Sequence, residues 1–280
     1  MATQTNNSTL GNGVNLQPSY YNNGNVNFGW GLMQQQANIT TVRIEIEPGR
    51  ETHAAGWIAD AQRNGYQVIA TYHKHTANGS NDVNELLAAA NWWVKNYQNL
   101  GGNFIINLMN EWGSHKMNSL DYALAYNQAI AIVRTVYNGP IVIDLPGWGQ
   151  EVNRAYAAVT LTDPVITDTN IVLSVHIYLS SSNTGGGGTL VPADLDLLNS
   201  CGRPCIVGEF GAEGEGLCDW SVCVDHAKSL GWPVIGWCWN GDGEDFNMVS
   251  PSWKPGSFPS SFTLSPYFDT IYSKLSGPIA

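Results

Sequence analysis

Charge is what this sequence has least of. Only 12% of its 280 residues are Asp, Glu, Lys or Arg, about half the share usual in soluble domains. Cations are scarcest: 12 Lys and Arg stand against 23 Asp and Glu, a net charge of −11. Such a chain has little to offer a phosphate backbone or an anionic lipid surface, which argues against nucleic acid and membrane as partners. No run of 18 apolar residues occurs, which excludes a membrane-spanning helix. The opening MATQTNNSTL lacks the basic and apolar regions of a signal peptide and reads as a mature start behind an added Met.

Cysteine is missing from the first 200 residues, and all five lie between 201 and 238. Cys201 with Cys205, and Cys218 with Cys223, could each close a small loop, which implies an oxidising compartment and leaves Cys238 alone. Buried thiols, or other pairings such as Cys205 with Cys238, remain open. The spacings are not CxxC and no His completes a set, so no metal is expected there. Asn6, Asn7, Asn38 and Asn78 each begin an N-x-Ser/Thr pattern.

What is present is apolar and aromatic. Hydrophobic residues make up 43% of the chain, with 11 Trp, 12 Tyr and 30 Gly. Low charge beside many rings and amides suits a neutral, polyhydroxylated ligand, whose hydroxyls take hydrogen bonds and whose C–H faces stack on rings.

Short apolar strands alternate with helical segments. GVNLQ (13–17), VRIEI (42–46), QVIATYH (67–73), FIINLMN (104–110), PIVIDL (140–145), IVLSVHIYL (171–179), CIVGEF (205–210) and PVIGWCW (233–239) are the strands. Helical spacing follows each, most clearly across 83–100, where Leu86, Leu87, Ala90, Trp93, Val94 and Tyr97 recur. Trp92 and Trp93 lie there at core spacing. Eight strand-then-helix units predict an α/β fold, a single (β/α)8 TIM barrel over residues 1–280. A doubly wound open sheet would carry a glycine-rich turn after its first strand, whereas GNGVNL sits at the wrong end. The loop SSSNTGGGGT (180–189) should lie over the site face. Acidic runs at Glu213, Glu215 and Asp219, and at Asp242, Glu244 and Asp245, are expected as solvated loop charges rather than a calcium site.

In such a barrel the carboxyl ends of the strands face the site. Glu111 ends the fourth strand and Glu209 the seventh. Two carboxylates over one mouth are what glycoside hydrolysis needs: one protonates the leaving oxygen and the other attacks.

With that pair in view, the chain resembles glycoside hydrolase family 5 over nearly its whole length. TTVRIEI, NEW, HIY, GEFG and GWCWNG stand in order where that family carries its arginine, Asn-Glu pair, His-x-Tyr, nucleophile and tryptophan strands. NEWG, IDLPGWGQ, HIY, IVGEFG and GWCWNG together look most like the compact bacterial-type endo-β-1,4-mannanases.

The resemblance implies a secreted, extracellular retaining enzyme acting on β-mannan or a related β-1,4-glycan polysaccharide, as a monomer, with no cofactor or metal. It implies Glu209 as nucleophile and Glu111 as acid/base. Arg43 and Tyr178 would hold Glu209 charged, Asn110 would bind the sugar 2-hydroxyl, and His176 would orient the carboxylates. Trp237 would floor the subsite before the cleavage point, and Trp112, Trp148 and Trp239 are candidate stacking platforms. The family's strand-3 histidine is matched by His75 or by His73 in YHKHT, with His75 favoured by its distance from the strand. An endo-β-1,4-glucanase of the same family is the alternative, ahead of a barrel that only binds sugar and of a metal hydrolase using the HxH.

Overall fold

A computed structural model describes residues 10–277. The amino-terminal start and the positions Asn6 and Asn7 lie outside the described residues. Eight strands form a closed, wholly parallel barrel in chain order, with the last pairing back onto the first. They are β1 (Gly13–Leu16), β2 (Thr41–Ile46), β3 (Gln67–Tyr72), β4 (Ile105–Asn107), β5 (Ile141–Asp144), β6 (Ile171–Ile177), β7 (Cys205–Phe210) and β8 (Val234–Asn240). Helices follow in turn: α1 (Trp30–Met33), α2 (Glu51–Arg63), α3 (Val83–Asn96), α4 (Ser119–Val133), α5 (Val152–Thr160), α6 (Pro192–Asn199), α7 (Trp220–Ser229) and α8 (Phe268–Leu275). The predicted barrel is the observed one.

Period-two alternation explains how these strands serve two interiors. On β2, Val42, Ile44 and Ile46 join the large core between strands and helices. Thr41, Arg43 and Glu45 take the opposite face and are equally buried. On that face Leu10, Ile69, Val142, Val172 and Ile206 form a separate small cluster at the amino-terminal end of the barrel. Above it the inward positions turn polar: Asn15, Arg43, Thr71, Asn107, Asp144 and Ser174 are all buried. That polar layer lies directly under the site.

Local chemistry sets the helix starts. Asp82 caps α3 by accepting from Asn84 N, Asn118 caps α4 by accepting from Asp121 N, and Asp219 caps α7 by accepting from Val222 N. Pro192 opens α6, where its missing N–H costs nothing. Helix α3 buries Leu86, Ala89, Ala90 and Trp93 on one face, as predicted for Trp93. The helix after β1 is a single turn, and α3 stops at Asn96, short of Leu100.

The larger difference is β4, which ends at Asn107 instead of running to the Asn-Glu pair. Beyond it, single bonds carry the chain to the mouth: Leu108 N donates to Val142 O (2.9 Å) and Asn110 N to Tyr72 O (2.8 Å).

All five cysteines are free, so the expected disulfides are not formed. The anticipated pairs are nonetheless neighbours: the thiols of Cys218 and Cys223 both lie on Leu190 O, at 3.6 and 3.8 Å. Asn78 is poorly placed to accept a glycan, because its Nδ2 is bound to Glu111 Oε2 at 3.3 Å.

Candidate active site

The barrel mouth opens on a cleft of about 430 Å³. Glu111 and Glu209 both line it. Each is held by a local departure from regular backbone. Between β6 and β7 the register runs Val175 to Val207 and then His176 to Glu209, skipping Gly208. A Cβ on Gly208 would fall 2.1 Å from Ser174 Oγ, so only glycine permits that approach. The skip sets His176 directly opposite Glu209. Glu111 sits in the left-handed region, at φ 48°, uncommon for a side-chain-bearing residue. Two hydrogen bonds hold it there: its N–H donates to Asp144 Oδ2 (3.0 Å), and its carbonyl accepts from Gly79 N (2.8 Å).

Carboxylate oxygens of Glu111 and Glu209 lie with a His176 nitrogen inside 4.8 Å of one another. His176 Nδ1 is 3.0 Å from Glu111 Oε1 and 3.5 Å from Glu209 Oε2. Among the described residues this is the one grouping of metal-ligand type, but a charged imidazole between the carboxylates would repel a cation. Glu209 also accepts from Arg43 Nη1 (2.8 Å) and Tyr178 Oη (2.6 Å).

Burial pushes the Glu209 carboxyl up to about 7, with the charges of Glu111 and Glu45 adding to it and those of His176 and Arg43 opposing it. Burial alone would lower His176, but Glu209, Asp144 and Glu111 raise it to about 10. Burial and the Glu209 charge raise Tyr178 far above the ordinary phenol, leaving it a neutral donor.

Arg43 is fully buried and binds five partners within 3.0 Å: Asn15 Oδ1, Glu45 Oε1, Asn107 Oδ1, Glu209 Oε1 and Asn110 Oδ1. The last contact fixes the Asn110 carbonyl, which leaves its NH2 to donate into the cleft.

Of the sequence candidates, Asn110, Glu111, Tyr178, Glu209, Trp237, Trp148 and His75 line the cleft, and Arg43 and His176 lie buried beneath it. Trp237 is anchored by Nε1 to Asp242 Oδ2 at 3.0 Å. Trp148 is exposed in the cleft wall, in a left-handed conformation at φ 55°. It packs over Gly79, where a Cβ would be 2.2 Å from its ring, and its centroid is 5.3 Å from that of His115.

Two platforms are corrected. Trp112 and Trp239 are 1% and 0% exposed, and neither lines the cleft. Their Nε1 groups donate to Asp82 O and Phe28 O, so both rings pack the fold. The strand-3 preference is corrected as well. The buried histidine following β3 is His73, bonded to Tyr20 Oη and 3.5 Å from Glu45 Oε2. His75 is exposed on the next turn and reaches the cleft only at its rim.

Several cleft residues were not foreseen. Glu45 and Gln17 lie beside Arg43, joined by Gln17 Nε2 to Glu45 Oε2 at 2.9 Å. Glu45 repeats the parity of Arg43 on β2, which was the available signal. Glu213 belongs to a loop run expected to be solvated, yet it is half-buried in the wall. Burial, with Asp242, Glu244 and Glu111, pushes its carboxyl up to about 7. Asp144, buried and ending β5, showed the same sign as Glu111 and Glu209: a carboxylate closing an apolar strand.

The loop 180–189 does reach the site face, where Ser180 lines the cleft. Glu151 clamps it, accepting from Thr184 N (2.9 Å), Gly185 N (2.9 Å) and His115 Nδ1 (2.6 Å).

Known proteins share this fold. The family model described as cellulase (glycosyl hydrolase family 5) matches residues 25–243. A mannan endo-1,4-β-mannosidase of Streptomyces lividans is 27% identical over 248 residues, 80% of this chain, and the chain spans 60% of that relative's length. The solved β-mannanase of Thermomonospora fusca superposes with a TM-score of 0.73 at 22% identity, over 95% of this chain and 89% of its own. An endoglucanase catalytic domain of Thermobifida fusca does so at 0.68 and 17% identity, over 95% and 91%.

Proposed function

The chain belongs to glycosyl hydrolase family 5, and from that premise we propose that it is a retaining endo-β-1,4-mannanase. The carrying observation is the carboxylate pair, whose oxygens lie within 4.8 Å and share His176. Retaining glycosidases hold their carboxyl groups about 5–5.5 Å apart, whereas inverting ones leave room for water.

Two carboxylates this close do not both ionise freely, so the cleft carries one proton between them near neutral pH. Donors decide where it rests. Arg43 and Tyr178 donate to Glu209 and not to Glu111, which keeps the negative charge on Glu209. Glu209 then attacks the anomeric carbon while Glu111 protonates the departing oxygen. Once Glu209 is bonded to the sugar its charge is gone, and Glu111 takes a proton from the incoming water. Asn110 donates to the 2-hydroxyl, and Trp237 supports the sugar at the cleavage point.

The mannan preference rests on the name of the Streptomyces lividans relative and on the motif set. An endo-β-1,4-glucanase is the second reading, favoured by the endoglucanase likeness. A polymer of either kind cannot enter a cell, which supports action outside it. The test is reducing-sugar release from galactomannan and from carboxymethyl cellulose in parallel. Cleavage of mannan is the expected result. Cleavage of the glucan alone keeps the mechanism and moves the substrate, and cleavage of neither removes the enzyme.

One pH effect follows from the shared proton. Burial lifts the Glu209 carboxyl to about 7, and because the two carboxyls share one proton that value belongs to the pair, which holds the proton below that pH and releases it above. We expect kcat/KM on a soluble oligosaccharide to fall as pH rises through about 7. A profile flat to pH 9 would contradict the shared proton.

A further inference from the structure

The carboxylate beneath the catalytic pair has no part in the mechanism above. We propose that Asp144 is a positioning residue: its buried charge keeps His176 an imidazolium and pins the main chain of Glu111 in its left-handed turn, so that the acid stays aimed at the leaving oxygen. The kinetic consequence rests on the glycosidase reading; the charge on His176 does not.

Asp144 is fully buried and does not line the cleft, so it acts through other residues. Its Oδ2 meets Glu111 N at 3.0 Å, Arg43 Nη2 at 3.4 Å and His176 Nε2 at 3.5 Å. Its Oδ1 accepts from Asn107 Nδ2 at 3.2 Å, and its carbonyl from Tyr122 Oη at 2.7 Å. Arg43 already holds five partners closer than Asp144, so the arginine alone does not account for this carboxylate.

The distinctive contacts are the other two. His176 Nε2 is buried and has no full hydrogen bond, and Asp144 is the anion facing it. On the ring's other side Nδ1 faces Glu111 and Glu209. The groups around the ring are Glu111 beyond β4, Asp144 on β5, Glu209 on β7, Arg43 on β2 and Tyr178 beyond its own strand. With anions beyond both nitrogens, a bare lone pair on either would be repelled, and a proton on each satisfies both sides. The direction of the His176 shift agrees.

A charged His176 helps the cycle twice. It stabilises the negative charge on Glu209 before attack, and it stabilises the charge that appears on Glu111 as its proton leaves. The hydrogen bond to the Glu111 amide adds a mechanical constraint, since the left-handed turn is strained for Glu.

The first arm of the test follows imidazole nitrogen shifts in the 15N-labelled full-length chain from pH 5.5 to 9, with the His176 signals identified by their loss in His176→Gln. Both nitrogens should remain protonated to pH 9 in the wild type, and His176 should lose a proton within that range in Asp144→Asn. A neutral His176 at pH 7 in the wild type overturns the proposal, even if the variant cannot be folded. An unchanged titration in the variant overturns it too.

The second arm compares leaving groups. Asp144→Asn should lower kcat on an oligosaccharide about 100-fold, with KM within about twofold, because general-acid help is worth that much to a poor leaving group. On a dinitrophenyl glycoside, which departs without a proton, the loss should stay under about tenfold. Equal losses on both substrates overturn the assignment to the acid. If the wild type cleaves no glycoside, the proposed function fails while the titration still judges Asp144.

Discussion

Replacing Glu209 by Gln is expected to lower kcat/KM at least about 10⁴-fold, with the fold intact, because a covalent nucleophile has no substitute within reach. The amide keeps the volume and can still accept from Tyr178, but it cannot bond to the anomeric carbon. Glu111→Ala should behave differently: severe loss on oligosaccharides and mild loss on activated aryl glycosides, since only the former need a proton for departure. The two variants separate further with azide. In Glu209→Ala the small anion can occupy the vacated space and attack directly, giving a glycosyl azide of inverted configuration. In Glu111→Ala it can intercept the glycosyl-enzyme and give the retained product. Circular dichroism and product analysis by NMR provide the checks. A Glu209→Gln enzyme retaining more than about 1% activity would refute the nucleophile.

How far the sequence foretold this site depends on the kind of contact. Strand faces are set by alternation within five or six residues, so the barrel and its eight units were legible. Glu111 and Glu209 were legible as carboxylates ending apolar strands in a fold whose strand ends face the site. Asp144 met the same criterion and was overlooked, since its value comes from Glu111 and His176, 33 and 32 residues away. Side-chain direction was less accessible. Trp112, Trp148 and Trp239 look alike as letters. Trp148 reaches the cleft because Gly147, Trp148 and Gly149 all adopt positive φ, which turns its indole outward. Trp239 lies buried on β8 and Trp112 just past β4. His73 and His75 were separated only by where β3 ends. The free thiols show the limit of spacing: a short gap brings two cysteines together without fixing whether they are joined.

The second large effect concerns stability. Replacing Arg43 by Met should destabilise the fold by about 3–5 kcal/mol at pH 7, the cost usual for removing one side of a buried ion pair. Met matches the aliphatic stem, so the change isolates the charge. Without the guanidinium, Glu45, Asp144 and Glu209 are left as three buried carboxylates whose other cationic neighbours are His176 and His73. Arg43→Lys should lose less, because it keeps the charge and forfeits only the fork that spans six acceptors.

The pH dependence fixes the cause. Although burial works to raise the Asp144 pKa, His176 and Arg43 hold it well below the usual carboxylate range. A group depressed in the folded state contributes stability above its unfolded value and loses it as pH falls through the folded one. In Arg43→Met one source of that depression is gone, so the variant's carboxylates take up protons at higher pH than the wild type's. The gap between the two proteins should therefore be widest near neutrality and narrow below about pH 4. Urea unfolding of both proteins at pH 7 and pH 3.5 measures it. A gap equal at the two pH values would assign the loss to packing, and the guanidinium would then be a filler of the barrel rather than the counter-charge that permits three carboxylates to share its interior.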